Sequence, residues 1–320
     1  MPGLFPQTRR RCVGIEISQK AIRLVELSRS RGRFKLQAYA VEPLPAGLMD
    51  DQTGVEAKSV VAVLLRALEK AQVMASDAVI AMPDGQVICK TLEVEAGLSE
   101  VELELHVRLE AEQYIPYALD DMALDFEAQD HLPSDPGRVS VLMVACRQEA
   151  LEWHRSILTS AGLTPRVVAV QAHALARGLQ AMNAGLAMDA AVAVLDLAPH
   201  ASVLSIVRQD EVIYSRELLA GQATAAGQVF KTTVVEHLER ELELFAESGV
   251  DGLVGMIVLA GDAAADPGLV QWVESSLGTP TCIANPFALM DLDPALAPEA
   301  LHCDAPVLLT ACGLALRGFD

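Results

Sequence analysis

Residues 13–17 read VGIEI and begin a pattern that occurs twice in the 320-residue chain. In the first copy this segment is followed by a short turn, a second apolar segment at 22–27, another turn and a third segment at 34–41. The second copy has its three segments at residues 192–197, 202–207 and 212–218. Each copy predicts three strands joined by tight turns, with an acid near the end of the first strand. Because a repeat in sequence indicates a repeat in structure, we expect two related lobes.

The composition predicts more than one buried core and argues against several classes of partner. A chain of this length is expected to form two to four subdomains, and 52% hydrophobic residues with 4% aromatics predict cores of Val, Leu, Ala and Ile. The net charge of −19 argues against a general nucleic-acid surface, since phosphate binding needs clustered Lys and Arg. It also disfavours adsorption to anionic lipid and favours a soluble protein with a basic peptide partner.

Membrane and secretion signals are not expected in this chain. No apolar run reaches the ~18 residues of a membrane span, and Glu16 interrupts the apolar stretch after the arginines at 9–11, which disfavours a signal peptide. Those arginines are interpreted as a solvated tail, with a weak membrane-surface contact as the alternative. The six cysteines are scattered without a Cys-x-x-Cys motif, which predicts buried thiols in a reducing cytoplasm.

The alternation of strand-like and helix-like segments predicts an α/β fold. One segment is ambiguous, because residues 101–110 alternate between apolar and polar side chains, as a strand does. Ser99 and Glu102 nevertheless form a capping-box pattern, and the segment is rich in Leu and Glu. Its apolar residues also recur at the helical spacing i, i+4 and i+8, at Val101, Leu105 and Leu109. We therefore predict a helix to about Ile115, ended by Pro116.

Standard catalytic motifs are missing, and the seven histidines show no metal-ligand spacing, so no catalytic residue and no metal site are predicted.

The hairpin turns could still bind a nucleotide. A phosphate-binding turn needs converging backbone N–H groups, which glycine favours, and a nearby acid that holds Mg²⁺. The turns at 16–20 and 196–200 keep the acid but lack glycine. The candidate contacts are Glu16, Ser18, Lys20, Asp196, Gly261 and Asp262.

Residues 108–117 read RLEAEQYIPY, and LDF follows at 124–126. With these segments the chain resembles the PilM family, the actin-like cytoplasmic proteins of type IV pilus assembly that are akin to FtsA. Further similar segments lie at 13–45, 144–147, 161–165 and 313–317, so that the resemblance covers about residues 12–320.

The resemblance implies a two-lobed actin-like ATPase fold of the α/β class, with an inserted subdomain of the FtsA/PilM type in lobe 1. The implied boundaries are a lobe 1 core (12–84, 166–185 and a C-terminal helix 306–320), an inserted subdomain (85–165), a lobe 2 core (186–220 and 256–305) and a lobe 2 insertion (221–255).

The resemblance also implies partners and a location. Proteins similar to PilM capture the cytoplasmic N-terminal segment of the membrane protein PilN, in a groove between the lobe 1 core and the inserted subdomain. The chain is thus expected in the cytoplasm at the inner membrane, held there by the PilN/PilO subcomplex and in contact with pilus motor components. The candidate partner-binding residues are Tyr114, Ile115, Pro116, Tyr117 and Arg147. The residues at 114–117 form either an apolar floor for the partner or a helix end packed on its own sheet, and Arg147 pairs with a partner carboxylate or a local Glu.

The chain departs from the family at the nucleotide positions. Relatives read GIDIGSSS where this chain has GIEISQKA at 14–21, and they carry acids where it has Ala169 and Gln171. They read DIG where it has DLA at 196–198, and paired glycines where Gly261 precedes Asp262. We therefore expect a degenerate ATPase in which ATP with Mg²⁺ binds weakly or not at all, while the adaptor role is retained.

Three alternatives remain. The first is an active actin-like ATPase whose nucleotide state switches partner binding. The second is the cytoplasmic lobe of a type II secretion protein of the GspL kind, which would continue into a transmembrane helix beyond Asp320. The third is a small-molecule kinase of the same fold, which needs an acidic base where Ala169 and Gln171 stand.

Overall fold

The structure is a computed structural model. It describes residues 10–45, 48, 57–132, 135–182, 190–197, 201–209, 211–219, 227–248 and 253–320.

The described residues form strands and helices in alternation, as the sequence predicts. The strands are β1 (Arg10–Ile17), β2 (Ala21–Ser30), β3 (Arg33–Pro43), β4 (Asp77–Met82), β5 (Val87–Glu95), β6 (Met122–Leu132), β7 (Asp135–Arg147), β8 (Thr164–Val170), β9 (Ala191–Asp196), β10 (Ala201–Arg208), β11 (Glu211–Leu219), β12 (Val254–Ala260), β13 (Thr281–Ile283) and β14 (Asp291–Leu292). The helices are α1 (Ala57–Lys70), α2 (Glu100–Tyr114), α3 (Gln148–Ser160), α4 (Gln171–Ala181), α5 (Gln228–Glu247), α6 (Leu269–Leu277), α7 (Pro298–Asp304) and α8 (Leu309–Arg317).

The strands form three sheets, and two of the sheets are built alike. The six-stranded sheet has the order β14-β3-β2-β1-β4-β8, and the five-stranded sheet has the order β11-β10-β9-β12-β13. In the first, β1 pairs antiparallel with β2 and parallel with β4. In the second, β9 pairs antiparallel with β10 and parallel with β12. The repeat read from the sequence is therefore a repeat of two lobes, and the two-lobed actin-like prediction is confirmed.

Helices cover both faces of the lobe 1 sheet. α1 and α3 pack on one face, in a core that contains Ile15, Leu64 and Ile157. α8 packs on the other face, directly over β1. Gly14 allows this close approach, because a Cβ there would overlap the backbone of α8. α4 lies between the lobes, since its Ala174 packs in the lobe 1 core and its Leu175 and Leu179 pack against strands of lobe 2.

The third sheet, β5-β7-β6, forms the inserted subdomain. α2 covers one face of this sheet, where Val107 and Ala111 pack against residues such as Val141 and Met143. The predicted subdomain boundary of 85–165 is too wide. α3 falls inside that range, but its Ile157 and Leu158 are buried in the lobe 1 core because their apolar side chains face the six-stranded sheet.

The predicted lobe 2 core, 186–220 with 256–305, is also too wide at its end. β14 pairs with β3 of lobe 1, and Leu301 of α7 packs in the lobe 1 core. The predicted lobe 2 insertion contains α5, which packs in the lobe 2 core through Phe230, Leu238 and Phe245.

Candidate functional site

The candidate site is the cleft where the first strand of each lobe ends. Glu16 lies near the end of β1, and Asp196 is the last residue of β9. Gly261 and Asp262 follow β12, the parallel neighbour of β9. The structure therefore brings together four of the six predicted nucleotide contacts, because equivalent strands of the two lobes end at the same cleft.

Arg23 occupies this cleft, and sequence reasoning did not select it. Its Nη1 lies 3.7 Å from Oε1 of Glu16, and its Nη2 lies 3.4 Å from Oδ1 of Asp262. Gln171, the first residue of α4, donates from Nε2 to the same Glu16 oxygen at 3.5 Å. Arg23 thus pairs with one acid from each lobe. The signal that could have found it is the hairpin register, since Arg23 lies directly opposite Glu16 across β1 and β2.

Glu16 and Arg23 are taken out of water, while Asp262 at the other side of the cleft stays exposed. Glu16 is 4% exposed and Arg23 is 7% exposed. Burial raises the pKa of Glu16 to about 7, although the nearby Arg23 opposes this, and the acids Asp196 and Asp262 add to the rise. Burial also raises the pKa of Asp196. Among the described residues, Nε of Arg23 has no hydrogen-bond partner.

Gly261 packs against the chain itself. Its φ of +86° lies in the left-handed region that favours glycine. A Cβ at this position would overlap the carboxylate of Asp196 and approach the backbone N and O of Leu197 to 2.7 Å. Only glycine at this position therefore allows the contact between the ends of β9 and β12.

The turn after β1 uses its polar groups internally. The hydroxyl of Ser18 accepts from the backbone N–H of Lys20 (3.3 Å) and of Ala21 (3.1 Å), and it donates to the carbonyl of Ala21 (3.0 Å). These N–H groups would have to be free to hold a phosphate. The second predicted turn ends at residues 198–200, which lie outside the described residues.

The predicted partner-binding residues divide into buried and exposed groups. Ile115 is 5% exposed and belongs to the core of the inserted subdomain, so its selection as a partner contact is corrected. Tyr114, Pro116 and Tyr117 are exposed. The guanidinium of Arg147 lies over the ring of Tyr117 at 4.2 Å, rather than against a local Glu.

Sequence reasoning also missed one face of the three-stranded sheet. Three cross-strand pairs of β5 and β7 lie on the side of the sheet opposite α2, and we call them the open sheet face. Its residues are Val87, Cys89, Thr91, Leu142, Val144 and Cys146. These side chains are half-buried or exposed. Strand alternation on β5 and β7 was the available signal, since every second residue points away from α2.

The edge of this subdomain lies close to both lobes. Gln129 on β6 donates to Oε1 of Glu211 on β11 at 3.1 Å. His173, near the start of α4, has its pKa lowered by burial, while Asp84, Glu211 and Glu127 oppose that shift. β6 therefore lies beside the junction of the two lobes.

The described residues form neither a metal site nor a membrane-spanning helix. No group of three His, Cys, Asp or Glu side chains in the described part of the chain could hold a metal ion. Within these same ranges, no single helix is long and apolar enough to cross a membrane.

Two related lobes around one cleft, with a subdomain inserted in lobe 1, define an actin-like protein. The chain matches the family model described as type IV pilus assembly protein PilM over residues 14–227 and 226–319. The chain therefore belongs to the PilM family.

The solved structures that are similar along nearly the whole chain include the following two. The PilM-PilN type IV pilus biogenesis complex gives a TM-score of 0.78 at 27% identity, covering 98% of this chain and 100% of that chain. The ethanolamine utilization protein EutJ from Carboxydothermus hydrogenoformans gives a TM-score of 0.53 at 11% identity, covering 98% of this chain and 91% of that chain. The second likeness is one of fold alone.

Proposed function

We propose that this chain is a nucleotide-independent adaptor of type IV pilus assembly that binds the N-terminal cytoplasmic segment of a PilN-type membrane protein. Membership of the PilM family and the similarity to a PilM-PilN complex support the assembly role and the partner. In this proposal the chain works in the cytoplasm and reaches the inner membrane through its partners, PilN with PilO, and it also contacts pilus motor components.

The proposed loss of nucleotide binding rests on the position of Arg23. Its guanidinium is paired with Glu16 of lobe 1 and Asp262 of lobe 2, in the cleft where Mg-ATP binds in actin-like ATPases. A bound Mg²⁺ would have to compete with this internal cation for the same carboxylates. Displacing Arg23 would leave its largely buried guanidinium without a carboxylate partner, which opposes the exchange.

Two further features support the same proposal. The N–H groups of Lys20 and Ala21 already donate to Ser18, and Gly261 packs against Asp196 instead of leaving space for a ligand. The groups that would hold a nucleotide are thus engaged within the chain, and these residues do not fit a bound nucleotide.

For the peptide, the open sheet face offers the chemistry that a short apolar segment needs. Leu142 and Val144 on β7 provide apolar contacts on this face, while the Tyr117–Arg147 pair lies at the end of the same strand on the side of α2. An extended segment or helix could pack there with part of its apolar surface buried.

Isothermal titration with a synthetic peptide of the PilN N-terminal segment, with and without Mg-ATP, tests this function. We expect the same dissociation constant under both conditions. We expect Leu142→Glu to weaken binding about tenfold or more, while Leu289→Glu, at a position 61% exposed, leaves it unchanged.

Binding that appears only with Mg-ATP would instead favour an ATPase switch and overturn the proposed loss of the nucleotide site. Absence of binding in both conditions would contradict the proposed partner. Equal weakening by the two variants would contradict the position of the groove.

A further inference from the structure

α2 carries apolar side chains on two opposite faces. Val107 and Ala111 face the three-stranded sheet and are fully buried, with Leu103 packed beside them. On the other side lies a row that we call the outer stripe: Val101, Leu105 and Leu109, which are 77%, 61% and 58% exposed. The inner face of the helix is therefore fully packed against the sheet, and the opposite face exposes a second apolar row to solvent.

The spacing of the outer stripe suits packing against another helix. Its residues stand at i, i+4 and i+8, which is one of the ridges that helices use when they pack. With a rise of 1.5 Å per residue, the row is about 12 Å long, or a little over two turns. Single exposed apolar side chains are common and need no explanation, whereas a contiguous exposed row such as this one is characteristic of interaction sites.

The charges around the outer stripe restrict what can cover it. α2 contains five glutamates and one arginine. Arg108 is already paired with Glu104 at 3.2 Å, and Glu112 lies on the same side as the stripe at the spacing i+7 from Leu105. Two copies of α2 packed together would bring glutamates against glutamates, and an anionic lipid surface would be repelled.

From these observations we infer that the outer stripe binds a basic amphipathic helix of a partner protein, with apolar residues spaced at i and i+4 and Lys or Arg beside them. The stripe lies on the opposite side of the subdomain from the open sheet face. The chain could therefore hold this helix and a PilN-type segment at the same time, and the inference does not rest on the proposed function.

The test uses the whole chain and a fluorescent 18-residue probe made of leucine and lysine, with the leucines on one helical face. Fluorescence anisotropy is measured at physiological salt for the wild type, for Leu105→Glu with Leu109→Glu, and for Leu289→Glu as the matched control. We expect the double variant to bind about tenfold or more weakly and the control to bind as the wild type does. A second probe of the same composition, with its leucines scattered around the helix, should also bind about tenfold more weakly to the wild type.

Three results would overturn the inference. One is equal affinity of the double variant and the control, which would mean that the probe binds acidic surface in general. Another is equal affinity of the two probes for the wild type. The third is dimerisation of the wild type by analytical ultracentrifugation that the double variant abolishes, because the stripe would then bind a second copy. Circular dichroism and the melting temperature check that both variants are folded.

Discussion

At the scale of single residues, Arg23 makes two contacts in the cleft. One of them can be predicted from the sequence, and the other cannot. The Glu16–Arg23 pair is local, because the register of β1 and β2 places the two residues opposite each other in the hairpin. The contact of Arg23 with Asp262 joins residues 239 positions apart. Local patterns carry no information about such a pair, so it needed the structure.

Glu16 makes a pH-dependent contribution to stability that can be measured. Its pKa is about 7 in the folded protein against an ordinary value of 4.5, so between these values the folded state holds a proton that the unfolded chain has lost. Its contribution to stability is therefore fully present below about pH 4.5 and is lost as the pH rises from there through about 7. Glu16→Gln removes this dependence. The free energy of unfolding of the variant, relative to that of the wild type, should therefore be about 2–3 kcal/mol higher at pH 8 than at pH 5.

Urea unfolding at several pH values measures this difference. Glu95→Gln replaces an exposed carboxylate and serves as the control, with no comparable change expected. A constant difference between Glu16→Gln and the wild type across this pH range would contradict the prediction.

Gly261→Ala should destabilise the chain by about 3 kcal/mol, because it combines a left-handed backbone angle with overlap against Asp196 and Leu197. Gly97 has the same φ of +86° but open space around its Cβ position. Gly97→Ala should therefore cost only about 1 kcal/mol. Chemical denaturation of the two variants separates overlap from backbone strain, and equal losses would show that the contact with Asp196 contributes nothing.

At the scale of elements, local chemistry was decisive for some helices and insufficient for others. α2 begins with the capping box read from the sequence, since Ser99 and Glu102 exchange both expected hydrogen bonds. That signal correctly outweighed the strand-like alternation. The sequence could not tell which sheet α3 packs on, because its apolar face is the same whether it covers the inserted sheet or lobe 1. β14 has two residues and no pattern of its own, so its pairing with β3 was not predictable.

The close contact between α4 and α8 requires glycine in α8. A Cβ on Gly313 of α8 would overlap the carbonyl of Ala174 in α4. We therefore expect Gly313→Ala to lower the free energy of unfolding by about 3 kcal/mol, although glycine to alanine in a helix is normally stabilising.

The matched control for the helix contact is Gly85→Ala, where a Cβ meets nothing within 4 Å. It should leave the stability unchanged or raise it by about 0.5–1 kcal/mol. Thermal or urea denaturation measures both variants. A neutral Gly313→Ala would mean that the two helices can move apart without loss.

At the scale of the whole molecule, the repeat in sequence predicted the two lobes, but not how they meet. α4 buries side chains in both lobes, and Arg23 joins them across the cleft. These contacts combine residues from distant parts of the chain. The acids of the cleft were found from the sequence because they end predicted strands, whereas the internal cation among them was not.

A cleft without effective nucleotide binding should leave the stability of the whole chain unaffected by Mg-ATP. If the dissociation constant exceeds about 1 mM, then 1 mM Mg-ATP adds less than about 0.4 kcal/mol. The melting temperature should therefore rise by less than about 1 °C relative to magnesium chloride alone. An increase of several degrees would contradict the proposed loss of the site.

The packing of α8 on β1 also has a consequence for biosynthesis. Gly14 in β1 is synthesised about 300 residues before the backbone that packs over it at Ala311 and Ala315. At about 5–20 residues per second, β1 waits roughly 15–60 s for its helix. Lobe 2, whose strands lie between Ala191 and Ile283, is fully translated before that. The lobe that starts first therefore matures last, because the face of its sheet that lies under α8 stays uncovered until residues 309–317 have been made.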